Sequence, residues 1–253
     1  MNDLALAHRL ADAADALSMA RFRQADLVVT TKPDMTPVSD ADQAVERALR
    51  EALAVQRPDD TLVGEEYGGS MGTGRSWVID PIDGTKNYVR GVPVWATLIA
   101  LAVDGDPVVG VVSAPALGRR WWAQVGEGSW RSELGGTPIR NRVSAVAELA
   151  DASLSYSDTE GWQQQSWLGL RAAVWRSRAY GDFWSHMLVA EGCVDITAEP
   201  QLNLWDMAAL LPVVTEAGGA MTAWDGGAAL IGMNAVTTNG LLHEAVLAQV
   251  RHE

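Results

Sequence analysis

The chain has a single cysteine, Cys193, in 253 residues. An intrachain disulfide is therefore excluded, and a reducing compartment is expected. A basic cluster is also lacking: 19 lysines and arginines stand against 32 acidic residues, a formal net charge of −13. Such a surface repels nucleic acid and anionic membranes, so neither is an expected partner. An anionic substrate is repelled too, unless metal ions reverse the sign locally. Long apolar runs are missing. The longest, Val92 to Val103, has 12 residues, where a membrane-spanning helix needs roughly 20. The segment MNDLALAHRLADAADALSMA carries Asp3, Arg9, Asp12 and Asp15, and is expected to be an amphipathic helix rather than a secretion signal. The histidines His8, His186, His243 and His252 are too scattered to build a zinc or phosphohistidine site. These absences describe a soluble, cytoplasmic protein.

Against them stands a hydrophobic content of 48%, enough for a large core in one domain or two tightly joined ones. Eleven tryptophans are expected mostly as core or interface anchors. Leu6, Leu10, Ala13 and Leu17 recur at helical spacing and predict one buried face of a helix over 3–20. A polar loop follows over 26–38. A helix over 40–56 is predicted with Val45, Leu49, Ala52 and Leu53 inward and Ser39 as N-cap. From Trp77 to Trp130 the pattern is mainly strand, with runs at 94–101, 108–113 and 121–125 separated by Gly and Pro turns. Beyond about residue 140, strands near 153–156, 176–180, 194–198, 220–224 and 235–238 alternate with helices near 163–172, 182–191, 204–217 and 240–251. Gly218-Gly219 is the expected C-cap of the 204–217 helix. This organisation predicts two αβ lobes, 1–145 and 146–253.

The segment WVIDPIDGTKNYVR, residues 77–90, carries the clearest chemistry. Asp80 and Asp83 flank Pro81-Ile82 at the end of an apolar run. Carboxylates so placed are partly desolvated and need a cation or hydrogen-bond donors. Hard divalent cations want oxygen ligands in fixed directions, and Pro81 restricts the backbone between the two acids. Gly84 allows a tight turn and, with Thr85, offers N–H groups to an anion. Three further acidic segments stand out: Gly64-Glu65-Glu66, Trp205-Asp206 and Ser39-Asp40-Ala41-Asp42. Each has a plainer reading. Asp42 can complete a capping box with Ser39, Asp206 can pair with a helix dipole, and Glu65-Glu66 can be a solvated turn. Two other phosphatase chemistries fail on spacing. Asp83 has Pro81 where a D-x-D-x-T nucleophile would stand, and Cys193 has Glu199 where C-x5-R needs arginine.

Together the segments resemble the inositol monophosphatase family of Mg²⁺-dependent phosphatases. The resemblance lies in an aromatic-flanked D-P-I-D-G-T at Trp77 to Tyr88, in WDMAALLPVVTEAGG at Trp205 to Gly219, in Gly64-Glu65-Glu66, and in TKPDMTPVSDAD at Thr31 to Asp42. Leu210 is larger than the residue many members carry there. The resemblance implies an α/β (α+β) fold, the layered αβαβα sandwich of the inositol monophosphatase and fructose-1,6-bisphosphatase type, and a homodimer. It implies two to three Mg²⁺: one on Glu65, Asp80 and the Ile82 carbonyl, a second on Asp80, Asp83 and Asp206, and a looser third near Glu65. Asp42 and Thr85 would be the pair that orients the attacking water, with Glu65 as a further catalytic residue. The phosphate would lie against Glu65, Ile82, Asp83, Gly84, Thr85 and Asp206.

The resemblance fixes the reaction, phosphomonoester hydrolysis, more closely than the ester. Arg178, Asp182 and Glu199 fall at positions near the substrate in the family. Asp182 and Glu199 suit a cationic alcohol better than a neutral polyol, although Asp182 is also a good N-cap. The run GDFWSHMLVAEG to EPQLNLWD is most similar to the histidinol-phosphatase branch, so histidinol phosphate is the expected substrate. Inositol 1-phosphate and 3′-phosphoadenosine 5′-phosphate are the alternatives. A binding role in the transcription machinery is a reading of a different class.

Overall fold

The computed structural model describes residues 2–33 and 35–251; Asp34 and His252 thus lie outside the described residues. The chain stacks in five layers, helices–sheet–helices–sheet–helices, the α-β-α-β-α sandwich that the sequence resemblance implied. The first sheet has seven strands in the order Thr61–Gly64, Arg75–Asp83, Ala96–Val103, Asp106–Ala114, Arg119–Gln124, Gly128–Glu133 and Ile139–Arg140. The second has five, in the order Arg176–Arg178, Ser153–Ser155, Ile196–Glu199, Ala235–Thr238 and Ala220–Thr222.

Strand parity assigns the layers. On Arg75–Asp83, Trp77 and Ile79 pack with Leu6, Leu10, Val45, Leu49 and Leu53 of the outer helices Asp3–Arg21 and Asp40–Gln56. Val78 points the other way, into the middle layer of Asp182–Ala190, Leu204–Ala208 and Leu210–Thr215, where Phe183, Met187, Leu210 and Val213 lie between the sheets. Asp80 has the parity of Val78, which directs it to the same middle layer as Asp206. The outer face of the second sheet is closed by Gln164–Ala173 and His243–Val250 through Leu170, Val246 and Leu247. Among the described residues no helix is long and apolar enough to cross a membrane.

Three details differ from the sequence reading. The first helix buries Leu6, Ala7, Leu10, Ala11, Ala14 and Ser18, while Ala13 and Leu17 are exposed. Its small residues let the helix lie close to its neighbours, so the larger Leu17 is not needed inside. The predicted 26–38 loop contains a hairpin, Val29–Thr31 paired with Pro37–Ser39. The predicted 204–217 helix breaks at Ala209 into two short helices. Pro212 cannot donate to the Ala208 carbonyl, and its ring crowds that position. The break lets the chain approach the first sheet closely: a Cβ on Gly110 would lie 2.2 Å from the Ala209 carbonyl oxygen. Of the eleven tryptophans, Trp77, Trp95 and Trp121 are wholly buried and only Trp175 is exposed.

Candidate active site

The acids of the Asp-Pro-Ile-Asp segment are aimed by a bulge. Asp80 pairs with Leu98 and Asp83 with Ala96, so one extra residue is accommodated between them. Pro81 has no N–H to donate to the ladder, and its carbonyl accepts from Thr97 Oγ1 at 2.8 Å. Gly84 follows at φ 83°, in the left-handed region, and starts the short helix Thr85–Val89. Ile82 is buried with Phe22, Ala41, Tyr88 and Trp95, an aromatic base on which the turn rests.

Asp80, Asp83 and Asp206 converge, offering oxygens that all lie within 4.8 Å of one another. Each is fixed by a backbone amide through one of its two oxygens. Ile82 N donates to Asp80 Oδ1 at 2.9 Å, Phe183 N to Asp83 Oδ2 at 2.7 Å, and Asn203 N to Asp206 Oδ2 at 2.7 Å. A site made of carboxylate oxygens fits a hard divalent cation. Burial drives the Asp80 carboxyl well above the usual range, and the nearby charges of Glu65, Asp83 and Asp206 drive it further. Asp83 is likewise raised by burial and then by Asp182 and Asp206. Burial takes Asp206 up to about 7, against hydrogen bonds from Asn203 that lower it. Such mutual repulsion is what a bound cation would relieve.

Glu65 lies beside Asp80 at the rim of this group, with its Oε1 2.7 Å from Lys32 Nζ. Lys32 also meets Glu66 Oε1 at 2.6 Å. The hairpin carries Lys32 across to the Glu65-Glu66 turn. Burial works to lower the Lys32 pKa, but its bonds to the two glutamates outweigh it and hold the ammonium above its ordinary value.

Asp42 does both things its sequence context allowed. Oδ2 accepts from Ser39 N at 2.9 Å and from Ser39 Oγ at 2.5 Å, completing the capping box. Oδ1 lies 3.2 Å from Thr85 Oγ1, whose other partner is the Ile82 carbonyl at 2.9 Å. Burial pushes the Asp42 carboxyl up to about 6. Asp206 follows the same plan, as the third residue of a capping box with Asn203.

These groups open into a cavity of about 770 Å³ between the two sheets. Among the described residues its lining holds eight carboxylates, those of Glu65, Asp80, Asp83, Asp158, Glu160, Asp182, Glu199 and Asp206, and two lysines, Lys32 and Lys86. Strands Ser153–Ser155, Arg176–Arg178 and Ile196–Glu199 run parallel, so their carboxyl ends share one side, where α/β sheets place their ligands. Ser157 and Glu199 come from two of those ends, and Asp182 from the turn after the third. Ser157 Oγ accepts from Asp182 N at 2.9 Å and donates to Glu199 Oε1 at 2.8 Å. Asp182 Oδ2 accepts from Asn87 Nδ2 at 2.9 Å, so its side chain faces the cavity and Gly181 is the N-cap. Asp182 itself has φ 48°, a left-handed conformation that aspartate tolerates better than most residues. Burial raises Asp182 to about 6 and Glu199 to about 8.

Arg178 is not brought to the cavity. It ends the edge strand, is exposed, and donates to the Ser177 carbonyl at 2.8 Å. The reversal through Gly181 and Asp182, both at positive φ, separates it from the acids that follow. Ser157 and Asn87 were not singled out in the sequence. For Ser157 the available signal was its place just after a strand that leads into a helix and a parallel strand.

Known proteins resemble this chain over nearly its whole length. Residues 2–253 match the inositol monophosphatase family. The chain belongs to that family. It is 58% identical over 254 residues to the histidinol-phosphatase of Mycobacterium tuberculosis, covering 98% of each chain. It is 57% identical to the histidinol-phosphatase of Streptomyces coelicolor, covering 98% of this chain and 96% of the other. Among solved structures, the Thermotoga maritima IMPase superposes with a TM-score of 0.89 at 30% identity, over 99% of this chain and 97% of that one. The sequence-read family and fold thus stand.

Proposed function

We propose that this family member is a Mg²⁺-dependent histidinol-phosphatase, which hydrolyses histidinol phosphate to histidinol and inorganic phosphate. The observation that carries the substrate is the second acidic group: Asp182 and Glu199, joined by Ser157, face the same cavity as the Asp80–Asp83–Asp206 cluster. The names of the two relatives at 57–58% identity support it.

Asp80, Asp83 and Asp206, with Glu65 and the Ile82 carbonyl, would hold two to three Mg²⁺, which when bound would offset the carboxylate charge and supply Lewis acidity to the phosphoryl oxygens and to water. The rest falls to the chain itself. The Thr85 hydroxyl, within reach of Asp42 Oδ1, orients a water towards phosphorus and passes its hydrogen bond on to the carboxylate. The Gly84 and Thr85 amides at the helix start receive phosphate oxygens. Water forms the new P–O bond as the ester P–O bond breaks, and the alcohol departs carrying a proton. The ammonium and imidazole of histidinol lie against Asp182 and Glu199, and a cation there favours the ionised form of both acids. Asp158 and Glu160 add to the field. A cytoplasmic homodimer is part of the same reading, with exposed Trp175 available to a partner. A sedimenting mass of one chain would exclude the dimer.

Phosphate release at equal Mg²⁺ from histidinol phosphate, inositol 1-phosphate and 3′-phosphoadenosine 5′-phosphate tests the substrate. Histidinol phosphate is expected to have the highest kcat/KM. A higher value for inositol 1-phosphate would assign the acids to a polyol instead.

A further inference from the structure

Glu46 lies outside the cavity on helix Asp40–Gln56, one turn after Asp42, and is 0% exposed. A carboxylate so deeply placed needs donors, and three reach it. Oε2 accepts from Glu66 N at 2.7 Å, while Oε1 accepts from Tyr67 N at 3.2 Å and from Arg50 Nε at 2.8 Å. Two of the three are backbone amides of the turn that begins with Glu65. The contact is close: a Cβ on Gly64 would lie 2.0 Å from Glu46 Oε1, so this carboxylate demands a glycine at the head of the turn. Arg50 closes the far end, where Nη2 donates to the Gly68 carbonyl at 2.5 Å, and Gly64 N donates to that carbonyl at 3.1 Å.

The Glu46–Arg50 pair, with Arg50 only half-buried, adds little net stability; its consequence is geometric. The helix carries Asp42, the turn carries Glu65, and Glu46 ties one to the other from behind. We infer that Glu46 is a positioning residue that sets Glu65 against the Asp80–Asp83–Asp206 cluster by holding the Glu66 and Tyr67 amides. It does not line the cavity. Outer partners that orient a ligand side chain commonly govern metal affinity by about 10–100-fold. The inference rests on the proposed metal site.

The test uses Mn²⁺ as probe, titrated into the full chain without substrate, with free ion followed by electron paramagnetic resonance. Glu46→Gln keeps the side-chain volume but turns an NH₂ group against one of the amide donors. Mn²⁺ affinity is expected to fall about tenfold, and the Glu66 and Tyr67 amides are expected to exchange faster with solvent. Turnover should return at saturating metal. Faster exchange with Mn²⁺ affinity within about twofold of the parent would reduce Glu46 to a structural role and overturn the inference. If Glu46→Gln does not fold, Arg50→Ala probes the same link from its solvent side; weaker Mn²⁺ binding supports the inference and unchanged binding overturns it. Glu65→Gln in parallel separates the two claims. If the parent binds no Mn²⁺, or if Glu65→Gln binds it as the parent does, the proposed metal site fails and takes the inference with it.

Discussion

Asp83→Asn is expected to fold and to lose more than about a hundredfold of turnover on histidinol phosphate at saturating Mg²⁺, at least the upper range seen when a partner of a metal ligand is removed. Asparagine can still accept from Phe183 N through its carbonyl oxygen, so the tie between sheet and middle helix survives. What is lost is one negative charge among the converging acids. The same substitution should act oppositely on the metal-free protein. Asp80, Asp83 and Asp206 all have raised pKa values in the folded chain. The native state therefore binds their protons more tightly than the unfolded chain does. The stability this contributes is complete below the ordinary carboxylate range of about 4 and is lost as pH climbs through the folded values, about 7 for Asp206, with buried Glu199 adding a like loss at about 8. In chelator, the parent should melt at a higher temperature at pH 5 than at pH 8, and Asp83→Asn should narrow that gap. A variant with near-parental turnover, or a parent whose Tm does not fall between those pH values, contradicts this account of the cluster.

Thr85→Ala is expected to lower kcat by about 10²–10⁴-fold, the range for a removed general acid–base contact. Metal affinity and KM should change less than kcat, because Thr85 offers its hydroxyl to Asp42 and the Ile82 carbonyl and supplies no carboxylate to the cluster. Asp42→Asn should resemble it in rate but also cost stability, since Asp42 completes the capping box with the N-cap Ser39. Steady-state kinetics at several Mg²⁺ concentrations separate these effects. A Thr85→Ala enzyme restored by extra Mg²⁺ would make Thr85 a ligand-shaping residue instead.

How much of this was legible in the sequence depended on how local each feature is. Asp80 to Thr85 could be read because each neighbour restricts the next: proline denies a ladder bond, glycine takes the left-handed turn, and the acids fall on either side. Asp42 and Asp206 were ambiguous for a physical reason. The third position of a capping box puts one carboxylate oxygen on an amide and leaves the other free, so capping and site readings predict the same residue. Glu46 and Ser157 escaped notice because the turn amides that Glu46 accepts from, and the Asp182 amide and Glu199 carboxylate that Ser157 joins, lie 20 residues or more away, and only the packed fold brings them together. Arg178 was carried to the substrate by a sequence offset, but two consecutive residues at positive φ turn the chain after it. The Ala209 break was visible in Pro212, yet the apolar periodicity of the segment masked it.

The most direct measurement is an anomalous difference map from crystals of the protein grown with Mn²⁺. The account predicts peaks among the free oxygens of Asp80, Asp83 and Asp206, with one within ligand distance of the Glu65 carboxylate and the Ile82 carbonyl. A map with no peak between these residues, at Mn²⁺ concentrations that support turnover, would contradict it.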